Sequence, residues 1–112
     1  MQFLLLLFEN EKRWMNQGYS DSEMAEYRAL GKEFTSAIKG GHALQPSNTA
    51  TTVRVRDGKP LTTDGPFAET KEQLAGYYLV EAGGLDQAVA IAAKIPCARF
   101  GCIEIRPIMT FS

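Results

Sequence analysis

One histidine, two cysteines and almost no net charge are what this sequence offers the chemist, and each scarcity removes a class of function. With 12 Lys and Arg against 13 Asp and Glu, the formal charge of -1 leaves no broad positive field to hold phosphates, so a nucleic-acid partner is not expected. A single histidine gives Cys97 and Cys102 no second half for a zinc-ligand pattern. No metal is predicted, and both thiols are expected to be reduced and structural. The longest N-terminal apolar run, Phe3 to Phe8, has no basic flank and is too short for a signal peptide's apolar stretch or a membrane span. A cytoplasmic protein without membrane contact follows. The sequence also has no Gly-rich phosphate loop and no nucleophile elbow, which disfavours nucleotide and serine-hydrolase chemistry, and no cofactor is predicted.

What is present fits one domain over residues 1–112 with a single core, at 45% hydrophobic and 22% charged residues. Phe3–Phe8 reads as a central strand buried on both faces. Glu9 to Tyr19 reads as a polar loop carrying Trp14. Ser20-Asp21-Ser22-Glu23 has the spacing of a capping box and opens a helix predicted to run to about Lys39. Met24, Tyr27, Phe34 and Ile38 would form its apolar stripe, with Gly31 allowing close approach to a sheet and Gly40-Gly41 ending it.

His42 to Gln45 then reads as a short extended segment. Thr51–Arg56 and Lys59–Thr63 flank Asp57-Gly58, a strong hairpin signal. Thr70–Gln73 repeats the capping-box spacing and predicts one helical turn, followed by a strand over Ala75–Ala82. Leu85, Ala88, Val89, Ala92 and Ile95 recur at helical spacing until Pro96, and Phe100–Ile108 is a last strand in which Pro107 marks an edge position or a strand end.

That order predicts an α+β fold of the ferredoxin-like, split βαβ kind: an antiparallel sheet with two helices on one face. Phe3–Phe8 and Tyr77–Val80 are apolar toward both faces, so helices on one side leave the other uncovered. Each large apolar side chain left in water forfeits about 1.5 to 3 kcal/mol, and a few of them rival the ~5 to 15 kcal/mol that stabilises a domain. A homodimer, with two sheets stacked into a dimeric α+β barrel, is therefore expected.

The densest candidate site is Asp64-Gly65-Pro66-Phe67-Ala68-Glu69-Thr70-Lys71-Glu72. Gly65 tolerates angles that other residues avoid and Pro66 fixes its own φ, so Asp64 leaves its strand on a stiff bend. Asp64 reads either as a general base in a desolvated pocket or as a turn fastener that accepts backbone N–H bonds. His42 is the one side chain with an ordinary pKa near neutrality and is the candidate proton partner, alternatively an exposed residue after a helix end. Phe67 is a ligand stacker or an anchor for the turn. Glu69 and Lys71, with Glu72, bind a polar ligand or form a solvated charged face. Tyr77 lines a site or belongs to core or interface. Arg106, like Arg54 and Arg56, clamps an anion or pairs with Glu81 or Glu104 across the sheet.

The nine-residue run, with Leu44-Gln45-Pro46, Thr52–Gly58 and Pro96–Pro107, resembles the DGPF-domain branch of the YCII-related proteins over nearly the whole chain. The resemblance implies a dimeric α+β barrel of ferredoxin-like subunits. Some YCII-like proteins resemble lyases, isomerases or dehydrochlorinases working with a His and Asp pair, and DGPF members are often encoded beside alternative sigma factors. This chain has no histidine between Ser20 and Gly40, where the enzyme-like branch carries one on its first helix. The expectation is thus a non-catalytic dimer that binds a small-molecule ligand or a sigma-factor partner. The alternative is a cofactor-independent lyase, isomerase or dehydrochlorinase with Asp64 as base and His42 or Tyr77 as proton partner.

Overall fold

The computed structural model describes residues 1–111. Its strands and helices follow in the order β1 (Gln2–Glu9), α1 (Asp21–Glu33), β2 (Ile38–Ala43), β3 (Thr51–Arg56), β4 (Lys59–Asp64), β5 (Gln73–Glu81), α2 (Leu85–Ala93) and β6 (Cys102–Pro107). Four strands form one sheet in the order β2-β5-β1-β6, every pairing antiparallel. This is the predicted split βαβ arrangement, with β1 central and β6 on an edge.

Alternation along β1 decides what each face does. Phe3, Leu5, Leu7 and Glu9 are buried, and both helices pack on that side, where Leu30 of α1 and Ala88, Ile91 and Ala92 of α2 join the core. Leu4, Leu6 and Phe8 point the other way and stay half-buried. Their register partners Leu79 and Tyr77 share that open face, beside Glu104 and Arg106 of β6. Phe3–Phe8 thus presents apolar side chains to both faces of the sheet.

The first helix is shorter than predicted. Ser20 caps it as expected, its Oγ accepting from the Glu23 backbone N–H at 3.1 Å. The helix stops at Glu33, however, and Ile38-Lys39-Gly40-Gly41-His42-Ala43 is strand β2 on the edge beside β5. Ile38 fits a helical stripe and a strand face equally well, and it sits opposite Val80. Gly41 is no helix terminator: a Cβ there would lie 2.6 Å from the Tyr77 carbonyl oxygen and 2.8 Å from the Tyr78 ring. Glycine is required by strand packing. Gly31 has open space around it, so the expected close approach at that residue is absent; the buried stripe turns by one residue to Glu23, Tyr27, Leu30 and Phe34.

Two loop readings also change. Glu9 belongs to β1 and is fully buried, and Trp14 is packed away, so the stretch after the strand is not simply a polar loop. Thr70–Gln73 makes no helical turn. There the Thr70 hydroxyl donates to the Glu72 carbonyl, and the Gln73 amide donates to the carbonyls of Ala68 and Thr70, closing a bend by side-chain bonds.

The β3–β4 hairpin is as predicted, with Asp57 at φ 51° and Gly58 at φ 75° in the turn. It forms a sheet of its own that stands off the main one. The protein is a slab of 47 × 46 × 18 Å with a Cα radius of gyration of 15.9 Å. A compact chain near this length has about 13 Å, and the difference is this arm.

Candidate functional site

The best-formed concavity lies between α1 and the β2–β5 edge. It holds about 260 Å³. Its walls are Leu7 from β1, Met24 and Tyr27 from α1, Tyr19 from the preceding loop, and Gly41, His42, Gly76, Tyr77 and Tyr78 from the edge strands. Each wall has a local cause. The capping box at Ser20 sets the start of α1 and hence which way Met24 and Tyr27 face. Gly41 and Gly76 keep this corner free of side chains, since a Cβ on Gly76 would lie 2.8 Å from the His42 carbonyl oxygen. Trp14 stacks on Tyr19 with ring centroids 5.2 Å apart, and Tyr19 meets Tyr27 edge-on at 6.3 Å, which fixes two of the four tyrosines.

Burial pushes the phenols of Tyr19 and Tyr27 well up, and that of Tyr78 up. They remain neutral O–H groups through the physiological range, able to donate or accept one bond each.

Behind Tyr19 lies a charge cluster that sequence reading missed. Arg13 donates through Nη1 and Nη2 to the two oxygens of Glu23, at 2.8 and 3.0 Å, and through Nε to Glu9 Oε1 at 3.0 Å. Glu9 is fully buried and Glu23 nearly so. The guanidinium lies over the Phe100 ring at 3.9 Å. Cys97 sits nearby, its thiol donating to the Phe8 carbonyl at 3.5 Å; burial and the charge of Glu9 push that thiol far up, so it is inert. The signal was present: Glu9 shares the parity of Phe3, Leu5 and Leu7, and Arg13 falls four residues beyond it.

The structure brings only part of the predicted site together. His42 and Tyr77 are register partners with ring centroids 5.9 Å apart. Asp64 ends β4 at the root of the arm, exposed, and is not among the residues lining the cavity. Gly65 there takes φ 105°, and its N–H donates to the Ala50 carbonyl at 2.7 Å, so the arm's root is firmly bent.

Phe67 is 80% exposed and lies 6.0 Å from the Arg54 guanidinium. Glu69 and Lys71 are exposed. Lys71 lines a second, wider groove with Thr70, Glu72, Phe8, Phe100 and Glu104. Arg106 pairs with Glu104 at 3.0 Å along its own strand and not across the sheet, while Glu81 binds the N-terminal amine at 2.9 Å instead of an arginine. Among the described residues no group of three or more His, Cys, Asp or Glu is arranged to hold a metal. Nor is any helix there long and apolar enough to cross a membrane.

The profile of the YCII-related domain matches residues 1–112. The chain belongs to the YCII-related family. A curated relative, uncharacterized protein R00369 of Rhizobium meliloti (strain 1021), is 33% identical over 119 residues, covering 99% of this chain and 94% of the relative. Among solved structures, 5-chloro-2-hydroxyhydroquinone dehydrochlorinase (TftG) from Burkholderia phenoliruptrix AC1100, in complex with 2,5-dihydroxybenzoquinone, aligns with a TM-score of 0.48 at 13% identity. That alignment covers 97% of this chain and 94% of the other. In this YCII-related protein none of Asp64–Glu72, its most conspicuous motif, lines the aromatic cavity.

Proposed function

We propose that this YCII-related protein, a member of the DGPF branch by its Asp64–Phe67 run, is a homodimer that binds a small, mostly apolar, single-ring molecule without transforming it. The observation that carries the reading is the cavity under α1. Its volume of about 260 Å³ suits one ring with short substituents, given that a dry cavity of about 150 Å³ accepts benzene. Four tyrosines, Met24 and Leu7 offer apolar contact with a few hydrogen bonds to orient the ring. The exposed position of Asp64, away from the cavity that His42 and Tyr77 line, supports binding over acid–base chemistry within the protomer.

The dimer is supported by the open face of the sheet. Leu4, Leu6, Phe8, Tyr77 and Leu79 are only half-buried there, and Leu74 is 37% exposed. A second copy laid on that face would bury all of them.

A panel of phenols and benzoates screened by ligand-observed NMR tests the binding site. Binding that disappears in Met24→Trp, which fills the cavity, and persists in Asp64→Asn is the expected result. Binding unaffected by Met24→Trp would place the ligand elsewhere. Chemical turnover of any bound compound, lost in Asp64→Asn, would show the protein to be an enzyme.

A further inference from the structure

The β3–β4 arm is built like half of an interface. Val53, Val55 and Leu61 are 59%, 60% and 51% exposed, and the hairpin's register leaves both of its faces without cover from its own chain. A hairpin of two strands is marginal by itself in water. Arg54, Arg56 and Lys59 give it three cationic side chains against Asp57 at the tip and Asp64 at the root, and none of the three forms an ion pair among the described residues.

The same chain carries a matching surface. Beside the open sheet face runs a groove of about 740 Å³, with Phe8 and Phe100 on its floor and Glu72 and Glu104 among its polar lining. Lys71 lies beside Glu72 there, and Glu104 carries Arg106 of its own strand at 3.0 Å.

We propose that the β3–β4 arm of each copy docks in the Phe8–Glu72–Glu104 groove of the other, so that the homodimer is held by a reciprocal exchange of arms. A twofold contact needs one surface that gives and one that receives on the same chain, and both are here. The arm's arginines meet Glu72 and take over Glu104 from the exposed Arg106, which sets the orientation, and the apolar strand residues meet Phe8 and Phe100. The arm's reach also accounts for the extended shape, with a radius of gyration of 15.9 Å. The inference rests on the homodimer proposed above.

Charge reversal tests it by mixing. One variant carries Arg54→Glu and Arg56→Glu, the other Glu72→Lys and Glu104→Lys, all at exposed positions. Alone, each juxtaposes like charges at both arms, and each should dimerise at least about tenfold more weakly than the native chain at low salt. Mixed, they restore opposite charges at both contacts, so native mass spectrometry should show the heterodimer as the dominant species.

Native-strength dimers of either variant alone, or a mixture without preferential heterodimer, would overturn the arm exchange while leaving the homodimer standing. A monomeric native chain would overturn both. Sedimentation of the native protein gives an independent reading: its dissociation constant should rise with ionic strength, and indifference to salt would contradict the charge match.

Discussion

Arg13 grips both oxygens of Glu23, at 2.8 and 3.0 Å, while its Nε holds Glu9 from the other side. The two carboxylates are 0% and 5% exposed, so one guanidinium stands between two desolvated anions. Fork geometry is what lets a single side chain serve both.

Arg13→Met therefore leaves two buried carboxylates facing each other. The expected loss is about 3 to 5 kcal/mol in urea unfolding, since breaking a buried ion pair from one side strands the other charge. Arg13→Met with Glu9→Gln and Glu23→Gln should recover most of it. A single variant as stable as the native protein would show the cluster to be energetically idle.

Stability should also fall on the alkaline side. Cys97, Tyr19 and Tyr27 all have pKa values raised in the folded state, chiefly by burial. A raised acid holds its proton more tightly when folded, so its contribution is complete below the unfolded-state pKa, about 8.5 for Cys and about 10 for Tyr. That contribution is lost progressively as pH rises from there toward the folded values. Urea midpoints should be flat from pH 7 to about 8.5 and decline above it, and Cys97→Ala should remove the earliest part of the decline. A midpoint that rises above pH 9 would refute the burial of these groups. In the folded protein, only exposed Cys102 should react with a thiol reagent.

A third prediction concerns Gly101. A Cβ there would lie 2.0 Å from the Phe8 carbonyl oxygen and 2.8 Å from the Glu9 Cα, at the junction of β6 with the central strand. Gly101→Ala should cost about 1 to 3 kcal/mol or more, because the obstacle is backbone that cannot step aside. Gly31→Ala, in open space on α1, should instead stabilise by about 0.5 to 1 kcal/mol through helix propensity. Thermal denaturation of the two variants separates them by sign.

Much of this architecture could be read from the chain. The period-two burial of Phe3, Leu5 and Leu7, the Asp57-Gly58 turn and the α2 spacing up to Pro96 are local signals that tertiary packing did not override. Ile38 was illegible for a physical reason: an apolar residue four beyond Phe34 continues a helix stripe, and only pairing with Val80 makes it a strand residue. The site was harder still. Asp64 and His42 are chemically suggestive residues on separate sheets, whereas the cavity depends on Tyr19, Met24 and Tyr27, ordinary residues whose meeting is set by the entry of α1. Charge composition showed neither the Arg13 cluster nor the asymmetry between the arm and its groove, because both cancel in a net charge of -1.

The open face carrying Leu4, Leu6 and Phe8 is expected to be covered by a second copy. Light scattering coupled to size exclusion at micromolar concentration measures this directly, on the native chain and on Leu6→Asp. A native mass of twice the chain's 12.4 kDa, falling toward a single chain in Leu6→Asp with the circular dichroism unchanged, is the predicted result. A native mass of 12.4 kDa would contradict it.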